Sequence, residues 1–282
     1  MTLVFDKGCF MNERLFGTDG IRGLTNVYPM TADMALRVGR AAGSLFAREA
    51  DRPHTILIGK DTRLSGYMFE NALTAGLCSM GTNVLLVGPL PTPGVSYIMR
   101  SLRADGAIMI SASHNNYQDN GIKFFGRDGF KLPDEAEDEI ARLATSPGTD
   151  ELQSPSERIG TARRIDDAVG RYIEFVKASF PKGMRLDGLR IVCDCANGAT
   201  YKVAPWTLSE LGAEVIQISN HPDGRNINRD CGSVHPEDMR ATVIRERADL
   251  GLAFDGDGDR LVMADEDGRL LDGSAVLAVL AI

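Results

Sequence analysis

Short apolar runs bounded by glycine or proline alternate along this chain with longer segments whose apolar residues recur every three or four positions. Thr55–Gly59, Asn83–Val87 and Gly106–Ser111 read as strands, and Thr31–Ala50, Ser65–Met80 and Pro91–Leu102 as the helices around them, with Thr31 an N-cap. That rhythm predicts an α/β fold: a mixed, mostly parallel sheet with helices on its faces. Asp119-Asn120-Gly121 reads as a tight turn from which a strand, Ile122–Phe125, departs. An acidic helix over Pro133–Ala144 leads into Thr145–Glu157, a stretch rich in Ser, Pro, Thr, Gly and charge that is the expected domain boundary.

The rhythm then restarts. Asp166–Ser179, Tyr201–Leu211 and Pro236–Arg247 read as helices, and Arg190–Asp194, Glu214–Ile218 and Asp249–Phe254 as strands. Leu261–Ala264 and Arg269–Leu271 are expected to open a further sheet. The apolar Ser274–Ile282 ends without a cap, which we read as a truncation. With 282 residues and roughly 100–200 per domain, the expected division is 1–157, 158–260 and the beginning of a third domain over 261–282.

The formal net charge of −8 opposes non-specific binding to nucleic acid or anionic membranes, so neither is an expected partner. No apolar run approaches the ~20 residues that span a bilayer. The opening MTLVFDKGCFMNERLF lacks a secretory pattern, and Met11 is an alternative start. A cytoplasmic location is the resulting expectation. Cys9, Cys78, Cys193, Cys195 and Cys231 are odd in number and lack C-x-x-C pairing, which points to reduced thiols rather than disulfides or zinc. Cys193 and Cys195 are expected on opposite faces of their strand.

The sharpest chemical signal is Asp255-Gly256-Asp257-Gly258-Asp259-Arg260. Glycine spacers let three carboxylates converge. Two like charges about 4 Å apart repel by about 4 kcal/mol at an effective dielectric near 20, so convergence calls for a cation or for raised pKa values. All-oxygen ligation suits Mg²⁺. A calcium loop of the EF-hand kind is disfavoured, because Arg260 stands where that loop needs glycine and the flanks read as strands. An aspartyl phosphatase with Asp255 as nucleophile and Asp257 as acid fits the strand-then-Asp-x-Asp context, yet no lysine follows Arg260. A third reading is a metal that clamps a phosphate carried elsewhere in the chain. The second feature is Ser111-Ala112-Ser113-His114-Asn115-Asn116, at the carboxyl end of a strand, where open α/β sheets place their chemistry. Without a G-x-S-x-G elbow, serine-hydrolase chemistry is disfavoured.

Taken together, LFGTDGIRG (Leu15–Gly23), IGKDTRLSG (Ile58–Gly66), ISASHNNYQDNGIKFF (Ile110–Phe125) and DGDGDR (Asp255–Arg260) resemble the α-D-phosphohexomutase family. The likeness is greatest to the bacterial members that act on glucosamine phosphate. It implies tandem phosphohexomutase-type α/β domains, two complete and one begun, and an isomerase that interconverts glucosamine 6-phosphate and glucosamine 1-phosphate in cell-wall precursor synthesis. It also implies a phosphoserine at Ser113, a hexosamine 1,6-bisphosphate as intermediate and activator, and Mg²⁺ held by Ser113, Asp255, Asp257 and Asp259. Lys123 matches the family's general acid/base, His114 and Arg22 its further catalytic positions, and Arg260 a substrate-binding arginine. A homodimer is implied as well. Members acting on mannose or glucose phosphates, and the aspartyl sugar phosphatase, are the alternatives. The chain ends before the family's sugar-recognition loop, so little or no turnover is expected of it alone.

Asn116 stands where the family has proline, and a looser loop with retained but reduced activity is expected. Outside the motifs, Lys60, Asp61 and Arg63 read as a turn network that positions the serine loop. His54, His221 and His235 are expected at the surface or capping loops, and Trp206 in the core. Lys123 read alone is an exposed edge-strand lysine, and Arg22 a structural partner of Asp19.

Overall fold

The computed structural model describes residues 15–47, 53–151 and 153–280. Cys9, Met11, the end of the first expected helix (48–50) and residues 281–282 lie outside them. The chain folds as two α/β units. The first contains β1 (Ile21–Leu24), α1 (Ala32–Ala47), β2 (Thr55–Lys60), α2 (Gly66–Ser79), β3 (Asn83–Pro89), α3 (Thr92–Ser101), β4 (Gly106–Ile110), β5 (Asp119–Phe125), α4 (Asp134–Thr145) and β6 (Ala162–Arg164), and the next helix, α5 (Ala168–Ser179), packs both on α3 and on the first helix of the second unit. The sheet of the first unit runs β1-β5-β4-β2-β3-β6. The second contains β7 (Arg190–Asp194), α6 (Val203–Glu210), β8 (Glu214–Ile218), α7 (Glu237–Glu246), β9 (Leu250–Phe254) and β10 (Leu261–Ala264), with sheet order β10-β9-β7-β8, and α8 (Gly273–Leu280) follows it. The pairings of β2 with β3 and β4, β3 with β6, and β7 with β8 and β9 are parallel, whereas β1–β5, β4–β5 and β9–β10 are antiparallel.

The period of two along each strand divides the core between both faces. On β2, Ile56 and Ile58 pack with α1, α2 and α4, while Leu57 packs with α3 and α5. On the second sheet, Val192 and Ala253 face Met239 and Val243 of α7, and Ile191 and Leu252 face the α6 side. Thr31 caps α1 as expected, its Oγ1 accepting the Met34 amide at 3.2 Å.

Several local expectations change. Asp119-Asn120-Gly121 is part of β5 rather than a turn, paired with Leu24, Gly23 and Arg22 of β1. The glycine serves close packing: a Cβ on Gly121 would fall 2.5 Å from the Ser111 carbonyl oxygen and 3.0 Å from Arg22 Cγ. Gly121→Ala is therefore expected to cost about 1–3 kcal/mol in urea unfolding. A loss below ~0.5 kcal/mol would show that β5 shifts freely there. β1 and β6 escaped the sequence reading, being four and three residues long. Because β6 joins β3, the first sheet draws chain from beyond the expected boundary at Glu157. Leu261–Ala264 does not open a further sheet: it completes the second one against β9, and Leu270 makes only an isolated bridge to Ala264.

Cys193 and Cys195 do not face apart. Their sulfurs lie 3.8 Å from each other, as residues two apart on a strand share a face. His54 is buried rather than exposed, its Nδ1 3.4 Å from Asp105 Oδ2, and Trp206 is half exposed rather than core. No described helix is long and apolar enough to cross a membrane.

Candidate active site

The serine loop leaves β4 at the carboxyl edge of the first sheet and is held from below by side chains of the segment after β2. Ser111 Oγ donates to Asp61 Oδ2 at 2.6 Å and accepts the Ser113 amide at 2.9 Å. Arg63 Nε donates to the same Asp61 oxygen at 2.8 Å. Its two terminal nitrogens donate to four loop carbonyls: Asn116 and Asp119 from Nη1, Ser113 and Asn115 from Nη2. All five guanidinium N–H groups are thus used, and the side chain is wholly buried. The expected positioning network is present in Asp61 and Arg63. Asn116, despite replacing a proline, has its carbonyl fixed by Arg63.

Held this way, Ser113 adopts φ +52°, a left-handed conformation rare for serine. Its Oγ donates to Asp255 Oδ2 at 2.6 Å, joining residues 142 apart in sequence. Asp255 begins the loop between β9 and β10, at the carboxyl end of β9. That loop passes against the serine loop at Gly256, where a Cβ would stand 2.6 Å from the Ser113 carbonyl oxygen and 2.7 Å from Asn228 Nδ2. The start of α3 anchors its far side: the Thr92 amide donates to the Asp257 carbonyl at 2.8 Å, and Thr92 Oγ1 to Asp257 Oδ2 at 2.7 Å.

Asp255, Asp257 and Asp259 bring carboxylate oxygens within 4.8 Å of one another. Burial, then the charges of Asp257 and Asp259, push the Asp255 carboxyl up to about 7. Burial followed by Asp257 also raises Asp259. Burial works against ionisation of Asp257 too, but Lys123 and the Thr92 hydroxyl outweigh it and bring its pKa below the usual carboxylate value. Asp257 Oδ1 is buried with no hydrogen-bond partner among the described residues. An orphaned carboxylate oxygen inside a triad of hard donors fits a small divalent cation. The flanks of the loop are strands, so the EF-hand alternative does not apply. Both oxygens of Asp255 are engaged, Oδ2 by Ser113 and Oδ1 by the Arg260 amide at 3.2 Å, which suits a ligand better than a free nucleophile.

The cations expected from the sequence gather around the same point. Lys123, on β5, is buried rather than exposed, its Nζ 3.2 Å from Asp19, 3.6 Å from Asp257 and 3.9 Å from Asp259. Arg22 Nη2 donates to Asp19, and its buried Nε has no partner among the described residues. Arg260 Nη1 donates to His114 Nδ1 at 3.2 Å. Burial, Arg260 and Arg22 together lower the His114 pKa, so the ring is neutral at pH 7, with Nδ1 as acceptor and the proton on Nε2. The sequence reading missed Thr92 and Asn228, which hold these loops from the opposite units. The available signals were Pro91-Thr92-Pro93-Gly94 after a strand and the polar Asn226-Ile227-Asn228.

Residues 13–150 match the family profile described as phosphoglucomutase/phosphomannomutase, alpha/beta/alpha domain I, and residues 170–268 match domain II of the same family. A phosphoglucosamine mutase of Magnetococcus marinus is 60% identical over 96% of this chain and 56% of its own length. One from Anaeromyxobacter dehalogenans is 57% identical over 95% of this chain and 60% of its own. The chain thus spans less than two thirds of these relatives. A crystal structure of a phosphoglucomutase/phosphomannomutase family protein from Burkholderia thailandensis superposes with a TM-score of 0.79 at 28% identity, covering 95% of this chain and 58% of that one. With two domain profiles in order, close relatives over nearly its whole length and a shared fold, this chain belongs to the phosphoglucomutase/phosphomannomutase family, the α-D-phosphohexomutases.

Proposed function

We propose that this chain carries the phosphoryl-donor and metal-binding parts of a phosphoglucosamine mutase, which interconverts glucosamine 6-phosphate and glucosamine 1-phosphate. The observation that carries the reading is the 2.6 Å contact between Ser113 Oγ and Asp255, with the other two aspartates and Lys123 beside it. The names of relatives 57–60% identical to it point to glucosamine phosphate over mannose or glucose phosphate.

In this proposal Ser113 rests phosphorylated, and Asp255, Asp257 and Asp259 would hold Mg²⁺ beside it. The ion, when bound, offsets the charge of ≈ −1.5 to −2 on the phosphoserine. The bond from Ser113 Oγ to phosphorus breaks as a sugar hydroxyl bonds to phosphorus, giving a hexosamine 1,6-bisphosphate. The other phosphate of that intermediate then returns to Ser113. Lys123 exchanges the proton of the reacting hydroxyl, while Arg22 and the neutral His114, whose Nδ1 lies 3.5 Å from Ser113 Oγ, flank the phosphoryl group. Arg260, whose side chain is more than half exposed, binds the sugar phosphate. Such positioning and charge neutralisation are the main demands of phosphoryl transfer.

Intact-mass and peptide mass spectrometry of the chain purified from cells should find one phosphate on Ser113, lost in Ser113→Ala. Phosphate on Asp255 would support the aspartyl phosphatase instead.

A further inference from the structure

Arg63 lies between two residues that bind the other unit. Thr62 Oγ1 donates to the Asn197 carbonyl at 2.5 Å, and the Leu64 amide to the Gly224 carbonyl at 2.9 Å, both in the second unit. Between them the Arg63 side chain turns inward to the serine loop. From the second unit, Asn228 reaches the same loop: its Nδ2 donates to the carbonyls of Ser113 at 2.8 Å and Asn115 at 3.0 Å. These are the two carbonyls that Arg63 Nη2 also holds, each at 2.9 Å. Asn228 is buried, sits at φ +56°, and donates its backbone amide to the Ala196 carbonyl at 2.9 Å, which anchors its main chain in the second unit. Its Oδ1 has no partner among the described residues, and the two loop carbonyls are the hydrogen bonds its side chain makes there.

We propose that Asn228 is a positioning residue for phosphoryl transfer: with Arg63 it forms a two-sided clamp on the Ser113 and Asn115 carbonyls, so that Ser113 Oγ is aimed at the aspartate triad only while the two units are docked. A left-handed serine stays in place only if its surroundings over-determine it. Arg63 supplies half of that restraint from within the first unit, and Asn228 supplies the other half from the second. The role differs from metal ligation, since Asn228 touches the loop backbone and none of the three carboxylates. It also differs from substrate binding, since the residue is buried.

The inference rests on the phosphoserine reading above, and its test separates the two. Asn228→Asp keeps the shape and the tolerance for positive φ but replaces the donor with an acceptor, and Asn228→Ala removes the group altogether. The present chain would be treated with Mg²⁺ and glucosamine 1,6-bisphosphate, and phosphate on Ser113 followed by intact mass over time. Both variants are expected to lower the maximal loading rate ~10- to 100-fold, the range a misplacement of about 1 Å produces, with the half-saturating bisphosphate concentration unchanged. Amide hydrogen exchange should accelerate over residues 113–116 and not in β7 or β9. Normal maximal loading in both variants would overturn the inference, as would acceleration spread over the whole second unit. Should the wild-type chain take no phosphate on Ser113 from the bisphosphate, the failure lies with sugar binding by this part of the enzyme, and the mutase reading is decided by the phosphate on Ser113 in protein from cells. The exchange experiment then still decides the clamp, which is refuted by unchanged exchange at 113–116 in both variants.

Discussion

Arg63→Met is expected to destabilise the chain by about 3–5 kcal/mol, the range for breaking a buried ion pair from one side. The substitution preserves much of the side-chain volume and removes all five donors, so the cost reflects lost hydrogen bonds and charge more than a cavity. Four carbonyls of the serine loop lose their guanidinium donors. Asp61, wholly buried, loses its counter-charge and keeps the Ser111 hydroxyl. Burial already raises the Asp61 pKa against the opposing pull of Arg63, so without the arginine this carboxyl should take up a proton. Arg63→Met with Asp61→Asn is accordingly expected to be less destabilised than the sum of the two single variants, because the unpaired charge is gone. Urea unfolding of the four proteins measures this coupling. A cost near 1 kcal/mol for Arg63→Met, or strict additivity, would show that the loop stands without its clamp.

Much of this architecture is legible from local pattern. Helices and central strands carry apolar periodicity over eight or more residues and over five to seven residues, and they fall where the alternation puts them, within a few residues at each end. Of the two loops that meet in the site, the aspartate loop is legible because glycine and aspartate at alternate positions make a solvated turn a poor explanation, whereas the serine loop, read alone, is a polar turn and is legible only through the motifs around it. The edges of the sheets are not legible. β1 and β6 owe their strand geometry to the neighbours they pair with, and Ala162–Arg164 is exposed and has no apolar face to announce it. Asp119-Asn120-Gly121 misled because glycine is used for tight backbone approach as well as for turns. The residues that hold the site together were hidden for a different reason. Thr92 meets Asp257 across 165 positions, and Asn228 meets Ser113 across 115. Contacts of that range arise from topology, and a threonine or asparagine in a polar loop has nothing in its own neighbourhood to mark it.

Asp255→Asn is expected to weaken Mg²⁺ binding about 100-fold, since it removes one charge from the ligand set at close range, and yet to stabilise the metal-free protein. Burial and the neighbouring Asp257 and Asp259 hold the Asp255 carboxyl at about 7, well above its ordinary value. A carboxyl whose folded pKa lies above its unfolded one binds more protons in the native state than in the unfolded state. Between about pH 4 and 7, its contribution to stability therefore falls as pH rises, and the full penalty remains above 7. Asparagine carries no charge, and its carbonyl can still accept the Ser113 hydroxyl. The variant should gain ~1–3 kcal/mol over wild type at pH 8 and little at pH 4, by urea unfolding in chelator. Mg²⁺ reverses the order, because the ion supplies the missing positive charge and drives a proton off Asp255 below pH 7. Calorimetric titration at pH 6 in two buffers of different ionisation enthalpy should detect that proton in the wild type and not in the variant. Equal destabilisation of the variant at pH 4 and pH 8, or an unchanged Mg²⁺ affinity, would mean that the triad's mutual repulsion is relieved by something other than a metal.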